Sequence, residues 1–89
     1  MVEELPFSEK HISENIVERV FSEGIDEDDL KWHYDEEDRL VESVSPTDWM
    51  IQIDNQLPQN FVGQFFIPKG VYHRIIKGSQ DCVVKIIKK

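Results

Sequence analysis

From residue 30 onward the chain consists of short apolar runs separated by turn-forming residues, a pattern typical of antiparallel β structure. Large apolar residues alternate with polar ones in these runs, so that Trp49, Ile51 and Ile53, for example, share one strand face. Turn signals recur about every 8–12 residues, as in sandwiches and small barrels. The predicted strands lie at residues 30–35, 39–44, 49–54, 64–67, 71–76 and 82–87.

Residues 12–21 fit two kinds of element. Their apolar residues recur at helical spacing, Ser13 can cap such a helix and Gly24 can end it. Segment 16–21 is also rich in β-branched residues, which favours a strand. The helix is placed slightly ahead, so the fold class is predicted as all-β, or mainly β with a short N-terminal helix.

The length of 89 residues is enough for one domain. Residues 1–11 contain Pro6 and mixed polarity, and we expect a loosely held arm there. The predicted organisation is an N-terminal arm at residues 1–24, containing the short helix or strand, and a barrel domain at residues 25–89. Hydrophobic residues make up 39% and charged residues 31%, which is a globular rather than a disordered balance.

The charge of the chain excludes some partners. Acidic residues outnumber basic ones 18 to 10, giving a net charge of −8. Phosphate backbones and anionic lipids repel such a chain, so we expect no nucleic-acid and no membrane partner. The net charge is −13 over residues 1–54 and +5 over residues 55–89. The acidic part allows one function class, an acidic protein-interaction or charge-mimic protein that occupies a partner's basic surface.

Cysteine usage and the N-terminus bear on the compartment. Cys82 is the one cysteine, which excludes an intrachain disulfide, and its apolar neighbours predict a buried thiol. The acidic N-terminus lacks the basic and apolar layout of a secretory signal. No apolar run approaches the roughly 20 residues of a membrane helix. We therefore expect a cytoplasmic protein.

Residues 63–74 contain the most informative motif. Pro68, Gly70 and His73 follow a short hydrophobic strand with the spacing proline, any residue, glycine, two residues, histidine. This segment resembles the second conserved motif of the cupin superfamily, with Gly63 one residue closer to the proline than is usual. Proline ends a strand because it has no N–H for the ladder, and glycine allows the positive φ of a tight turn. The resemblance covers roughly residues 30–88 and implies a small antiparallel cupin-like β-barrel, or jelly roll, with His73 facing the interior.

The first cupin motif is matched only in part. His33 stands at the first metal ligand, Asp35 stands where the family has a second histidine, and Arg39 replaces the glutamate, with Asp38 one place before it. The resemblance implies that His33, Asp35, Asp38 and His73 bind a divalent transition metal such as Zn, Fe, Mn or Ni. Two histidines and one carboxylate form a known facial arrangement for iron.

Arg39 opens an alternative to the metal. A regular strand would place His33, Asp35 and Arg39 on one face, and the guanidinium would then repel a cation and pair with a carboxylate. The leading hypothesis is therefore a small-molecule binding module whose polar pocket contains His33, Asp35, Arg39 and His73. In it, Arg39 holds an anionic group of the ligand. The alternative is a metal-dependent cupin enzyme that activates water or an oxygen species on a reduced ligand set.

Two further expectations concern packing. Aromatic residues on short strands are more often core than cavity lining, and we predict core positions for Trp32, Trp49, Phe65, Phe66 and Tyr72. Sheet edges can pair between copies, with apolar surface from Ile75, Ile86 and Ile87, so a homodimer is expected.

Overall fold

The structure of the protein is a computed structural model, and it describes residues 7–89. Short strands are the main elements, and one 3-10 helix precedes the third of them. No helix in this part of the chain is long and apolar enough to cross a lipid bilayer. The elements in chain order are β1 (Ser8–His11), β2 (Ile16–Phe21), the 3-10 helix (Glu27–Asp29), β3 (Arg39–Ser43), β4 (Met50–Ile53), β5 (Gln59–Asn60), β6 (Gln64–Ile67), β7 (His73–Ile76) and β8 (Cys82–Lys88).

The strands form two antiparallel sheets that share one core. The larger sheet has the order β1-β2-β8-β3-β6 and the smaller one the order β5-β4-β7. Inward residues of the larger sheet, such as Val41 and Ile86, belong to the same apolar cluster as Trp49 and Ile51 beside the smaller one. Burying both inner faces against each other is what stabilises such a pair of sheets. The prediction of a small antiparallel β-barrel is confirmed.

The N-terminal part of the chain is extended rather than helical. Residues 16–21 form strand β2, which pairs with β8 over its whole length, so the predicted short N-terminal helix is wrong. Val17 and Phe21 face the core, and β8 supplies the partner that a β-branched segment needs. Strand β1 pairs with the outer side of β2, and the expected loose arm is therefore wrong for residues 8–11. The arm prediction for residues 1–6 lies outside the described residues.

The predicted strand at residues 30–35 is absent. The 3-10 helix, capped by the side chain of Asp26, leads into an irregular segment that pairs with β7 only at His33. The side chains do alternate, with His33 and Asp35 lining the cavity and the aromatic residues between them facing outward, contrary to the core prediction for Trp32. Trp32 and Tyr34 are 41% and 49% exposed, whereas Asp35 lies half-buried beside the barrel interior.

The core predictions have mixed outcomes. Trp49 is fully buried, Cys82 is buried, and Phe65 packs against the core. The prediction is wrong for three aromatic residues, which are about half exposed because they lie on outward faces: Trp32, Phe66 and Tyr72.

The apolar surface expected for pairing is smaller than predicted. Ile86 is buried inside the barrel, and Ile75 packs against the core, so neither offers a free apolar surface. Ile87 is only partly buried. The homodimer itself stays a prediction.

Candidate metal and ligand site

The turn between β6 and β7 fastens the irregular segment to the barrel. Gly70 adopts a φ of +80°, as predicted for the glycine of this motif. Its N–H donates to the carbonyl of Asp35 at 2.8 Å, and the N–H of Lys69 donates to Oδ1 of Asp38 at 2.8 Å. These two hydrogen bonds hold residues 35–38 beside the start of β7, and thereby bring Asp35 next to His73.

A second attachment joins His33 to His73. The N–H of His33 donates to the carbonyl of His73 at 3.0 Å, and the N–H of His73 donates back at 2.8 Å. Residues that exchange both hydrogen bonds in an antiparallel pair project their side chains to the same side. The two imidazole rings accordingly lie with their centres 4.3 Å apart.

Backbone carbonyls fix the orientation of both rings. Nδ1 of His33 lies 3.2 Å from the carbonyl of Lys31, and Nδ1 of His73 lies 3.0 Å from the carbonyl of Val71. A carbonyl only accepts, so these contacts require a proton on each Nδ1, and in the neutral form of either ring the lone pair is then on Nε2. Burial, the largest cause, holds the pKa of His73 below its ordinary value, which favours the neutral ring. Both histidines are thus arranged as metal ligands are, with Nδ1–H bonded outward.

The two oxygens of the Asp35 carboxylate differ in their partners. Oδ1 forms an ion pair with Nη1 of Arg39 at 3.1 Å. Oδ2 lies 3.3 Å from Nε2 of His73, yet this contact does not have hydrogen-bond geometry, and Oδ2 is buried without a partner among the described residues. With the proton of His73 on Nδ1, two acceptor atoms face each other here. A cation between them would satisfy both.

Arg39 forms ion pairs with two carboxylates that precede it closely in the sequence. Nη1 forms an ion pair with Oδ1 of Asp35 at 3.1 Å, and Nη2 donates to Oε1 of Glu37 at 3.1 Å. The residue is 8% exposed, and Nε is buried without a hydrogen-bond partner among residues 7–89. Its positive charge is therefore balanced locally by Asp35 and Glu37.

Three of the four predicted metal ligands come together. One ligand atom from each of His33, Asp35 and His73 lies within 4.8 Å of the others. Asp38 is not in this group, because its Oδ1 accepts from the backbone of Lys69. Two imidazoles and one carboxylate suit a divalent transition metal, and the orphaned Oδ2 of Asp35 fits that donor set.

The donor group opens into the interior of the barrel. A cavity of about 370 Å³ reaches His33, Asp35, Arg39 and His73, and most of its wall is apolar. This volume is in the range of small-molecule sites, which are apolar with a few converging polar groups. The apolar wall comes from both sheets and includes Val41, Ile51, Phe61, Ile67, Val84 and Ile86.

The sequence interpretation missed Arg19, which also lines this cavity. Arg19 lies between the inward residues Val17 and Phe21 on strand β2. Strand alternation over residues 16–21 would have placed all three on one face. The preference for a helix concealed that signal.

Comparisons with known proteins identify the fold. No family model matches the chain, and no curated protein matches it. Among solved structures, an RmlC-like cupin family protein with a double-stranded β-helix fold from Methanocaldococcus jannaschii aligns with a TM-score of 0.66 and 15% identity over 99% of this chain and 91% of its own. The cobalt(II) form of HppE in complex with Tris buffer gives a TM-score of 0.68 and 12% identity over 100% of this chain and 56% of its own.

A third solved structure is much longer than this chain. A chain from the crystal structures of the DMSP lyases RdDddP and RnDddQII aligns with a TM-score of 0.67 and 16% identity over 83% of this chain. The present chain spans 37% of that protein's length. At these identities the likeness shows the fold alone. The chain has the cupin fold, as the motif at residues 63–74 predicted.

Proposed function

We propose that this chain binds a small organic molecule in its barrel cavity, with a divalent transition metal held by His33, Asp35 and His73 at the polar end of that cavity. The observation that carries the proposal is the pair of facing acceptors, Nε2 of His73 and Oδ2 of Asp35, at 3.3 Å. Lone pairs this close and this buried repel each other unless a cation lies between them.

The second histidine strengthens this interpretation. His33 is the more exposed of the two histidines, so an ion can reach the donor group from solvent. Two neutral nitrogens and one carboxylate match Zn²⁺, Fe²⁺, Mn²⁺ and Ni²⁺ better than Mg²⁺ or Ca²⁺, which prefer oxygen ligands alone. A bound metal of this kind supplies Lewis-acid polarisation of a ligand oxygen. The metal-dependent cupin enzyme and the metal-containing binding module therefore share the same site.

In this proposal Arg39 has a different task from the one expected for it. Both of its terminal nitrogens are paired with carboxylates, and the donor that it leaves without a partner among the described residues is the buried Nε. It holds Oδ1 of Asp35 and thereby directs Oδ2 toward the histidines. Its charge is offset by Asp35 and Glu37, which reduces its repulsion of a metal ion.

Calorimetric titration of chelator-stripped protein with Zn²⁺, Ni²⁺, Mn²⁺ and Fe²⁺ tests the proposal. We expect one ion to bind per chain for at least one of these metals. Asp35→Asn removes a ligand charge and should weaken that binding by roughly a hundredfold. Asp38→Asn is the matched control, since Asp38 lies outside the donor group and an asparagine Oδ1 can still accept from the N–H of Lys69, and this variant should bind like the parent protein. Flat heat traces for all four ions, or equal binding by Asp35→Asn, would contradict the proposal.

A further inference from the structure

Arg19 places a second guanidinium in the wall of the cavity. It lies at the middle of β2 on the inward side, between the buried residues Val17 and Phe21. Its side chain is 16% exposed. Such inward strand positions are normally apolar, because removing a cation from water is costly. The placement of a cation there requires a compensating interaction.

Part of that compensation comes from strand β1. Nε of Arg19 donates to Oε1 of Glu9 at 2.7 Å, and the guanidinium carbon lies 4.2 Å from the centre of the Phe7 ring. Glu9 is directly opposite Arg19 in the antiparallel register, which orients the guanidinium. The two terminal nitrogens make no hydrogen bond or ion pair with any residue in the range 7–89. Within residues 7–89, Arg19 is thus held through Nε, and its two terminal nitrogens have no partner.

Arg19 and Arg39 enter the same cavity from separate places. Arg19 pairs with Val84 and Arg39 pairs with Lys88, so they lie four residues apart along β8 and on opposite sides of it. Strand geometry places their backbones roughly 16 Å apart, from ~13 Å along the strand and ~10 Å across it. Both terminal nitrogens of Arg39 are paired with carboxylates, those of Asp35 and Glu37. The terminal nitrogens of Arg19 are unpaired among residues 7–89. Of the two arginines, Arg19 is therefore the one whose terminal pair of donors is available to an anion, and the third cation lining the cavity, Lys31, lacks the planar paired donors of a guanidinium.

We infer that Arg19 binds a carboxylate of the ligand, and that the ligand class is a small acid with an apolar middle. This rests on the proposed function and extends it. The carboxylate of the ligand lies at Arg19, its apolar chain crosses the cavity, and its opposite end faces the group formed by His33, Asp35 and His73. A planar guanidinium suits a carboxylate because two parallel N–H groups can donate to its two oxygens. The cavity volume of about 370 Å³ accommodates a chain of this kind.

Two probes of equal chain length test the assignment in the absence of metal. Octanoate and octanamide differ at the head group, one charged and one neutral, and each is titrated calorimetrically into chelator-stripped protein. We expect octanoate to bind roughly tenfold more tightly than octanamide, since a hydrogen bond to a charged group contributes more than a neutral one. Arg19→Gln should remove this difference and leave octanamide unchanged. Arg19→Lys keeps the charge without the paired donors and should give an intermediate affinity.

Arg74→Gln is the matched control. Arg74 stacks over the exposed Trp32 at 5.0 Å and bonds to Gln52, so it is another half-buried arginine that does not line the cavity. It should bind both probes like the parent protein. Equal affinity for the two probes, an equal loss in Arg74→Gln, or no binding of either probe overturns the assignment of Arg19.

The metal-free design separates this inference from the metal proposal. Failure of the metal titration leaves the octanoate result intact, and failure of the octanoate test leaves the metal result intact. Thermal melting of each variant shows whether the barrel has formed. Should Arg19→Gln fail to fold, the comparison of Arg19→Lys with the parent protein decides, because loss of the paired donors alone still predicts weaker octanoate binding.

Discussion

His33 and His73 exchange both of their backbone hydrogen bonds, at 3.0 and 2.8 Å, although His33 belongs to no strand. This is the one ladder contact between β7 and the irregular segment that follows the 3-10 helix in the described part of the chain. The rings lie 4.3 Å apart because the backbones are joined there. The geometry of the donor group therefore depends on a backbone attachment as much as on side-chain identity.

Replacement of His33 separates these two contributions. His33→Pro removes the N–H that donates to the carbonyl of His73, whereas His33→Ala removes only the imidazole. We expect the proline variant to unfold with a free energy about 1–2 kcal/mol lower than that of the alanine variant. Urea unfolding followed by tryptophan fluorescence measures the difference. Identical midpoints for the two variants would show that the backbone pair contributes nothing to stability.

The buried ion pair of Arg39 predicts a second effect. Arg39→Met leaves the carboxylate of Asp35 without its paired cation, at a position where the Asp35 side chain is 13% exposed. We expect the free energy of unfolding to fall by about 3 kcal/mol. Adding Asp35→Asn to this variant removes the uncompensated charge and should recover part of the loss, a coupling that a double-mutant cycle measures. Purely additive losses would contradict the pairing.

Much of the barrel could be predicted because its strands are bounded by strong turn signals. Strand β6 lies at the predicted residues 64–67, ended by Pro68, and Gly70 has the positive φ that its place in the motif requires. The motif also placed His73 at the start of β7, facing inward and buried. Such positions depend on local chemistry. Proline lacks the N–H and glycine lacks the Cβ, and both effects on the backbone are independent of distant residues.

The rest depended on tertiary partners that periodicity does not reveal. The alternation at residues 30–35 was recognised, but which face lay inside was decided by the attachment to His73. Segment 16–21 is compatible with both a helix and a strand, and it forms a strand because it pairs with β8. Arg19 was missed for the same reason. The homodimer, the cytoplasmic location and the acidic interaction function stay predictions.

Glycine is required at position 78 because Trp49 packs closely against its Cα, and its backbone conformation is not the reason. A Cβ at this position would lie 2.6 Å from Cδ1 of Trp49 and 2.8 Å from its backbone nitrogen, and Trp49 is fully buried. Gly78→Ala should therefore lower the free energy of unfolding by about 2 kcal/mol through overpacking. Gly24→Ala is the matched control, because its Cβ would meet only the hydroxyl of Ser22 at 3.6 Å. Urea unfolding of both variants tests this, and equal stability would contradict it.

The ion pair between Glu9 and Arg19 predicts a pH dependence of stability. The hydrogen bond from Arg19 is the largest cause that holds the pKa of Glu9 below its ordinary value of 4.5. A carboxyl whose pKa is lower in the folded state contributes its full stabilisation above the unfolded pKa. That stabilisation is lost as the pH falls from 4.5 through the lower folded-state pKa.

Glu9→Gln removes this titration and measures its contribution. The parent protein should exceed the variant by up to about 1 kcal/mol at pH 7, since both side chains are partly exposed. The difference should shrink toward zero as the pH falls below 4.5, because the protonated parent then resembles the variant. Urea unfolding at a series of pH values follows the difference. Glu14→Gln is the control, since Glu14 is exposed and forms no ion pair among residues 7–89. A difference for Glu9→Gln that is independent of pH would show that the charge of Glu9 does not stabilise the fold.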